Sequence, residues 1–265
     1  MKKRITISIV SVLTLVAMLL TAFMLTGCTA RGTGALETRS FNELTNFNSV
    51  RVSGSFIVEL TQGDDFSVDV VMQGNLFNSL DLRVSDNTLY VGTRRGHSIT
   101  TTTSNTPRVL VTAPDFVSVR TSGSSRIIAD YLLTTQSLSI NTSGSSRIEL
   151  EVEADSVSVT TSGSSRVDLS LYTDSFYLNS SGSSNFYLLG QTINAEFSTT
   201  GSTTINAFYF YTANMDITSS GSARVDINVQ NSLTVRASGS ARINYRGNPT
   251  ARDIRLSGSA RVSGV

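Results

Sequence analysis

From Thr121 onward, apolar and polar residues alternate with a period of two, and the alternation restarts about every 19 residues at a glycine. The glycines stand at 123, 144, 163, 182, 201, 221, 239 and 258, at spacings of 21, 19, 19, 19, 20, 18 and 19, inside a recurring Thr-Ser-Gly-Ser-Ser-Arg-apolar unit. Four residues before each glycine are Val119, Ile140, Val159, Leu178, Phe197, Ile217, Val235 and Ile254. Four residues after are Ile127, Ile148, Val167, Phe186, Ile205, Val225, Ile243 and Val262. Every one is apolar, and the residues between them are mostly polar. Such alternation predicts strands with one buried face. No segment keeps a 3.6 period, and Ser, Thr, Val and Gly dominate, which excludes helices here.

Each unit reads as strand, Ser-Gly-Ser corner, strand and short return. A unit this short does not make a four-stranded propeller blade. It suits one coil of a parallel β-helix, whose strands stack about 4.8 Å apart, so that seven intervals give a rod roughly 34 Å long. The predicted fold is therefore all-β, a right-handed parallel β-helix (solenoid). A β-sandwich is the alternative, but it leaves the recurrence of one corner unexplained. Glycine is expected at the corner because it adopts positive φ without a Cβ clash.

Residues 41–115 carry a less regular alternation, including Phe47 to Leu60 about Gly54, Phe66 to Met72, Thr88 to Val91 and Arg108 to Thr112. This part is expected to start the solenoid and cap its first coil, because a solenoid end needs an atypical cover. Regular coils then occupy 116–265, so 41–265 forms one domain. Residues 29–40 read as a flexible tether and 98–106 as a Thr-rich loop. At the other end Arg252 replaces an apolar residue of earlier coils, and Arg255 and Arg261 add charge; these blunt an open strand edge or mark a self-association surface.

The first residues bear on location. Lys2, Lys3 and Arg4 precede an uncharged apolar stretch over 5–25, the pattern of a secretory signal. A transmembrane anchor is the alternative, since about 20 apolar residues span a bilayer. The stretch ends in Leu25-Thr26-Gly27-Cys28, and Cys28 is the chain's one cysteine. This motif resembles the lipobox of bacterial lipoproteins, which implies cleavage of residues 1–27 and acylation of Cys28 with diacylglycerol, a palmitate-type membrane anchor. Two or three acyl chains anchor durably where one binds only marginally. With Cys28 acylated, no internal disulfide forms.

Removal of 1–27 takes away both lysines and Arg4, leaving 18 arginines against 20 carboxylates. That balance excludes a strong basic footprint for nucleic acid.

One column of side chains stands out on the solvent side. Three residues after each glycine come Arg126, Arg147, Arg166, Asn185, Thr204, Arg224, Arg242 and Arg261. Stacked coils line these six arginines along one face, with Glu149, Asp168 and Asp226 two residues further on. The column is a solvated structural stripe offset by its carboxylates, or a surface for an anionic polymer that the planar guanidinium suits. Two residues before the glycines, Thr121, Thr142, Thr161, Ser180, Thr199 and Ser219 point inward and are expected to satisfy corner carbonyls. His97 is the single histidine, which supplies no metal set. Asp64, Asp65, Glu151 and Glu153 are the nearest thing to catalytic carboxylates and lack a distinguishing context. No catalytic residue, metal or cofactor is assigned.

The combination of Val52-Ser53-Gly54-Ser55-Phe56, Leu89-Tyr90-Val91, Val109 to Pro114 and serial Ser-Gly-Ser-Ser/Ala-Arg units is similar to the "putative auto-transporter adhesin, head GIN domain" family. The resemblance spans residues 41–265 and implies a β-helical, exported protein with no catalytic residues to carry over. The reading is thus a non-catalytic, lipid-anchored envelope protein whose β face binds a glycan or an envelope protein. A self-associating scaffold is the second reading and a carbohydrate-active enzyme the third.

Overall fold

A computed structural model describes residues 28–265; the expected signal segment, 1–27, lies outside the described residues. Six long strands, Leu133–Gly144, Arg147–Gly163, Arg166–Ser180, Asn185–Thr199, Thr204–Gly221 and Arg224–Gly239, stack in parallel as successive coils of a solenoid of about eight turns. Their register is the one the glycine spacing predicts. Ile140, Val159, Leu178, Phe197, Ile217 and Val235 lie in one ladder and are all fully buried. Residues Ile148, Val167, Phe186, Ile205 and Val225 form the facing ladder. The two ladders share one core, in which Phe176 meets Phe197 and Phe210 edge to face.

A second corner divides each coil where the sequence reading has only a short return. The ladder skips Gln136, Asp155, Asp174, Ile193 and Ala213, so inward residues change from even to odd spacing, as at Ala154 and Val157. Thr173 holds this corner by donating from Oγ1 to the carbonyls of Asp155 and Ser175, each at 3.1 Å.

The corner glycines are required for a second reason beside the expected one. Gly123, Gly144, Gly239 and Gly258 take the expected positive φ, whereas Gly163, Gly182, Gly201 and Gly221 lie outside that region. What all of them share is close stacking. A Cβ on Gly182 stands 2.0 Å from the Gly163 carbonyl oxygen, and one on Gly144 stands 2.5 Å from that of Gly123. Backbone thus meets backbone from coil to coil, and any side chain separates them.

Beneath the glycines the inward hydroxyls bond mainly to one another. Thr121 donates to Ser146 at 2.7 Å, Thr142 to Ser165 at 2.9 Å and Thr161 to Ser180 at 3.0 Å. Carbonyl contacts, such as Ser184 to Gly163 at 3.4 Å, are secondary. Val52 and Phe56 replace this pair in the preceding coil, while Ala237 and Ala241 replace it near the C-terminus, so the polar column is bounded by apolar side chains.

The N-terminal coils do not stack in chain order. Ser49–Gly54 and Ile57–Gln62 lie directly against Ser118–Gly123 and Arg126–Ala129. Gly54 therefore begins the glycine stack, 69 residues before Gly123 in sequence. Thr88–Thr93 and Arg108–Ala113 stack in parallel on the far side of that coil. Antiparallel strands Leu80–Ser85 and Ser67–Gln73 then pair with these two and form the cap.

The tether expected over 29–40 is instead two strands. Leu36–Ser40 adds antiparallel to Ser67–Gln73, and Cys28–Arg31 pairs with His97–Thr100, taking residues 98–100 out of the expected Thr-rich loop. Asn75 fastens the segment by accepting from the Thr33 N–H at 3.0 Å and donating to the Arg31 carbonyl at 2.8 Å. At the other end, Ala251–Leu256 and Arg261–Gly264 complete the stack. Ile254, expected inward, is 39% exposed because no strand among the described residues covers it. Arg252 stands in register with Leu233 and donates to the Tyr245 hydroxyl at 3.1 Å. Among the described residues no helix is long and apolar enough to cross a membrane.

Candidate binding face

The first strand of each coil turns its polar residues to solvent, and parallel stacking aligns them. Arg126, Arg147, Arg166, Asn185, Thr204, Arg224, Arg242 and Arg261 stand in one column, as the spacing predicts. The column divides by its partners. Glu149 bridges Arg126 and Arg147 at 2.7 and 2.8 Å, and Asp168 joins Arg147 and Arg166 at 3.5 and 2.9 Å. Asp168, by hydrogen bond and charge, raises the Arg166 guanidinium above its ordinary pKa. The same guanidinium lies 4.5 Å from the Tyr187 ring centre. In the last coils the pattern changes: Asp226 accepts from Asn244 at 2.7 Å, and among the described residues Arg224, Arg242 and Arg261 make no ion pair.

Where the arginines give way to Asn185 and Thr204, the face becomes aromatic. Tyr187 and Leu189 project from one coil, Tyr209 and Tyr211 from the next, and Tyr172 from the coil before. Tyr209 is 65% exposed, Tyr211 52% and Tyr172 46%. Their placement follows from chain length. The interval from Gly201 to Gly221 is 20 residues, one more than its predecessor, and the register with the preceding coil slips between Tyr187 and Leu189. Ala207 and Phe210 both face inward, so Phe208 and Tyr209 both face out. A bulge of this kind re-aims side chains without unravelling the sheet. Arg246 covers Phe208 at 4.1 Å from its ring centre and leaves Tyr209 open.

Two grooves flank the second corner. One, about 590 Å³, is lined by Ser156, Ser175, Asn194, Asn214 and Glu196 among others. Its amides are joined internally, since Asn214 donates to Asn194 at 3.0 Å and accepts from Ser232 at 2.9 Å. The other, about 660 Å³, borders the aromatic patch and is lined by Glu153, Tyr172, Asp174, Gln191, Tyr211 and Gln230 among others.

The remaining sequence candidates do not converge. His97 Nδ1 lies 3.2 Å from Ser79 Oγ in the cap. Asp64 and Asp65 are exposed between Ile57–Gln62 and Ser67–Gln73, while Glu151 and Glu153 project from a central coil. Among the described residues no group of three or more His, Cys, Asp or Glu could hold a metal. The aromatic patch is the feature sequence reasoning missed. Its signals were the single 20-residue interval and the run Phe208-Tyr209-Phe210-Tyr211.

A family model described as "putative auto-transporter adhesin, head GIN domain" matches residues 46–249. Solved structures share the fold. A putative adhesin from Parabacteroides merdae is 24% identical, with a TM-score of 0.82 over 90% of this chain and 99% of that one. A putative adhesin from Parabacteroides distasonis is 20% identical, with a TM-score of 0.80 over 89% and 100%. A putative lipid binding protein from the same species is 22% identical, with a TM-score of 0.78 over 89% and 99%. No curated protein matches the chain.

Proposed function

Because the chain belongs to the putative auto-transporter adhesin, head GIN domain family, we propose that it is a non-catalytic adhesive module of the cell envelope, holding a repetitive glycan along one β face. The observation that carries this reading is the in-register outer face, where exposed tyrosines share one surface with Arg224, Arg242 and Arg261, which make no ion pair among the described residues. A solenoid displays equivalent groups at the strand spacing of about 4.8 Å, which favours an extended, repeating partner over a compact one. Arg224, Arg242 and Arg261 are the arginines open to such a partner; Arg126, Arg147 and Arg166 are committed to Glu149 and Asp168.

The anchor in this reading is lipid on Cys28, supported by the basic and apolar segments that precede it. Cells carrying the full chain are expected to incorporate labelled palmitate into it, to expose it to surface labelling, and to adhere to immobilised wall polysaccharide. Cys28→Ala is expected to abolish incorporation and adherence together. Equal adherence with and without the chain overturns the adhesive reading. A self-associating scaffold is the second reading, favoured by Ala251–Leu256, whose six residues are all exposed. It requires mass to rise with concentration in light scattering.

A further inference from the structure

We propose that the groove along Tyr172, Gln191, Tyr211 and Gln230 is a subsite for a neutral, pyranose-based glycan chain lying parallel to the solenoid axis. This deepens the adhesive reading and rests on it. The aromatic residues are concentrated where the repeat is broken. The arginine column lapses at Asn185 and Thr204, the chain gains a residue between Gly201 and Gly221, and the added residue turns Tyr209 outward. None of Tyr172, Tyr187, Tyr209 and Tyr211 contributes to the core. A cluster of large exposed rings beside a groove marks a binding surface rather than a packing need.

Spacing and chemistry narrow the partner. Tyr172, Gln191 and Tyr211 occupy one column in successive coils. The two tyrosines are thus two strand spacings apart, about 10 Å, which is close to two pyranose rings joined end to end. Alternate sugars can lay their C–H faces on the two rings, and the intervening sugar then meets the Gln191 amide. Among the described residues that side-chain amide makes no hydrogen bond to the protein, unlike the mutually bonded Asn194 and Asn214 of the neighbouring groove. The groove continues from the coil of Glu153 to that of Gln230, which suits a chain rather than a single sugar. Charge selects among chains. Glu153, Asp155 and Asp174 line the groove and no arginine does, so uronate or sulfated polymers are repelled while sugar hydroxyls find acceptors.

Two of the eight tyrosines, Tyr172 and Tyr211, line the groove, and replacing them removes fluorophore and site together, so binding is read by titration calorimetry. The full chain in detergent is titrated with cellohexaose, maltohexaose and mannohexaose as neutral probes and with polygalacturonate as the acidic one. Saturable binding of a neutral hexaose is expected. The double variant Tyr172→Ala/Tyr211→Ala should weaken it at least about tenfold, equivalent to about 1.4 kcal/mol. Tyr131→Ala, in an exposed loop outside the groove, should leave it unchanged. Circular dichroism of the double variant should match the parent, because both side chains point outward. If no neutral hexaose gives a saturable binding heat, or the double variant binds like the parent, the proposal falls. If polygalacturonate alone binds, through Arg224, Arg242 and Arg261, the groove assignment is overturned while the adhesive reading stands.

Discussion

Thr142 Oγ1 donates to Ser165 Oγ of the next coil at 2.9 Å, and both side chains are buried. Thr142→Val keeps the shape but leaves Ser165 only a long contact of 3.5 Å to the Gly144 carbonyl. Losing one partner of a buried pair costs about 1–3 kcal/mol, whereas replacing both with apolar groups is close to neutral. Urea denaturation should therefore show a lower midpoint for Thr142→Val, largely recovered in Thr142→Val/Ser165→Ala. Ser125 supplies the contrast. It is buried without a partner, in a column where Phe56 occupies the preceding coil. Ser125→Ala should match or exceed the parent midpoint, and a marked loss would contradict the account of the column.

The glycine stack predicts an asymmetry between positions that look alike in sequence. A Cβ at residue 182 meets the Gly163 backbone at 2.0 Å, while one at residue 54 meets nothing closer than Phe56 at 3.5 Å. Gly182→Ala must force two coils apart, an overpacking cost of about 3 kcal/mol or more. Gly54→Ala bears only the strain of its φ of +99°, about 1–3 kcal/mol. Thermal melts should rank Gly182→Ala well below Gly54→Ala. The reverse order would mean that φ, not coil contact, sets the requirement.

The parts legible in the sequence are those that every coil repeats. Gly163, Val159 and Val167 recur with the same neighbours, so alternation and spacing together predict the first corner and both inward ladders. The second corner has no fixed residue: Gln136, Asp155, Asp174, Ile193 and Ala213 occupy it in turn. Only the three-residue step from Ala154 to Val157 betrays it. The place of Gly54 at the head of the stack is hidden by the 69 residues that separate it from Gly123, because the coil outside it comes later in the chain. The arginine column was readable as periodic. The aromatic patch was not, because it consists of the departures from that period.

The divided arginine column predicts unequal effects from equal charge removal. Arg126, Arg147 and Arg166 already face Glu149 and Asp168, so Arg126→Ala/Arg147→Ala/Arg166→Ala frees two carboxylates as it removes three cations. In Arg224→Ala/Arg242→Ala/Arg261→Ala no ion pair is broken. The second variant should show the larger loss of retention on a polyanion such as polygalacturonate and the flatter salt dependence. The pH should matter little. Asp168 raises the Arg166 pKa, so that contribution is complete below the ordinary arginine value and is lost only as pH rises through the raised one. From about pH 6 to 9 the guanidinium charge of the column is therefore constant. Retention that follows pH across this range would point to another group.

The extra residue between Gly201 and Gly221 is separable from the fold of its coil. Ala207 and Phe210 both face the core, with Phe208 and Tyr209 both outside. Deleting Tyr209 leaves Ala207 in, Phe208 out, Phe210 in and Tyr211 out, which restores strict alternation and the 19-residue interval of the preceding coil. The deletion should keep the thermal midpoint of the parent or raise it, and the response to neutral oligosaccharide should persist because Tyr211 stays outward in the groove. Deleting Tyr187, in a coil that is already 19 residues long, has the opposite character. It moves Leu188 from the core to the surface and turns Leu189 inward, since a one-residue slip exchanges the faces of a strand. That variant should lose cooperative melting. If the Tyr209 deletion unfolds the protein as the Tyr187 deletion does, the bulge is a structural necessity of the coil rather than an addition to it.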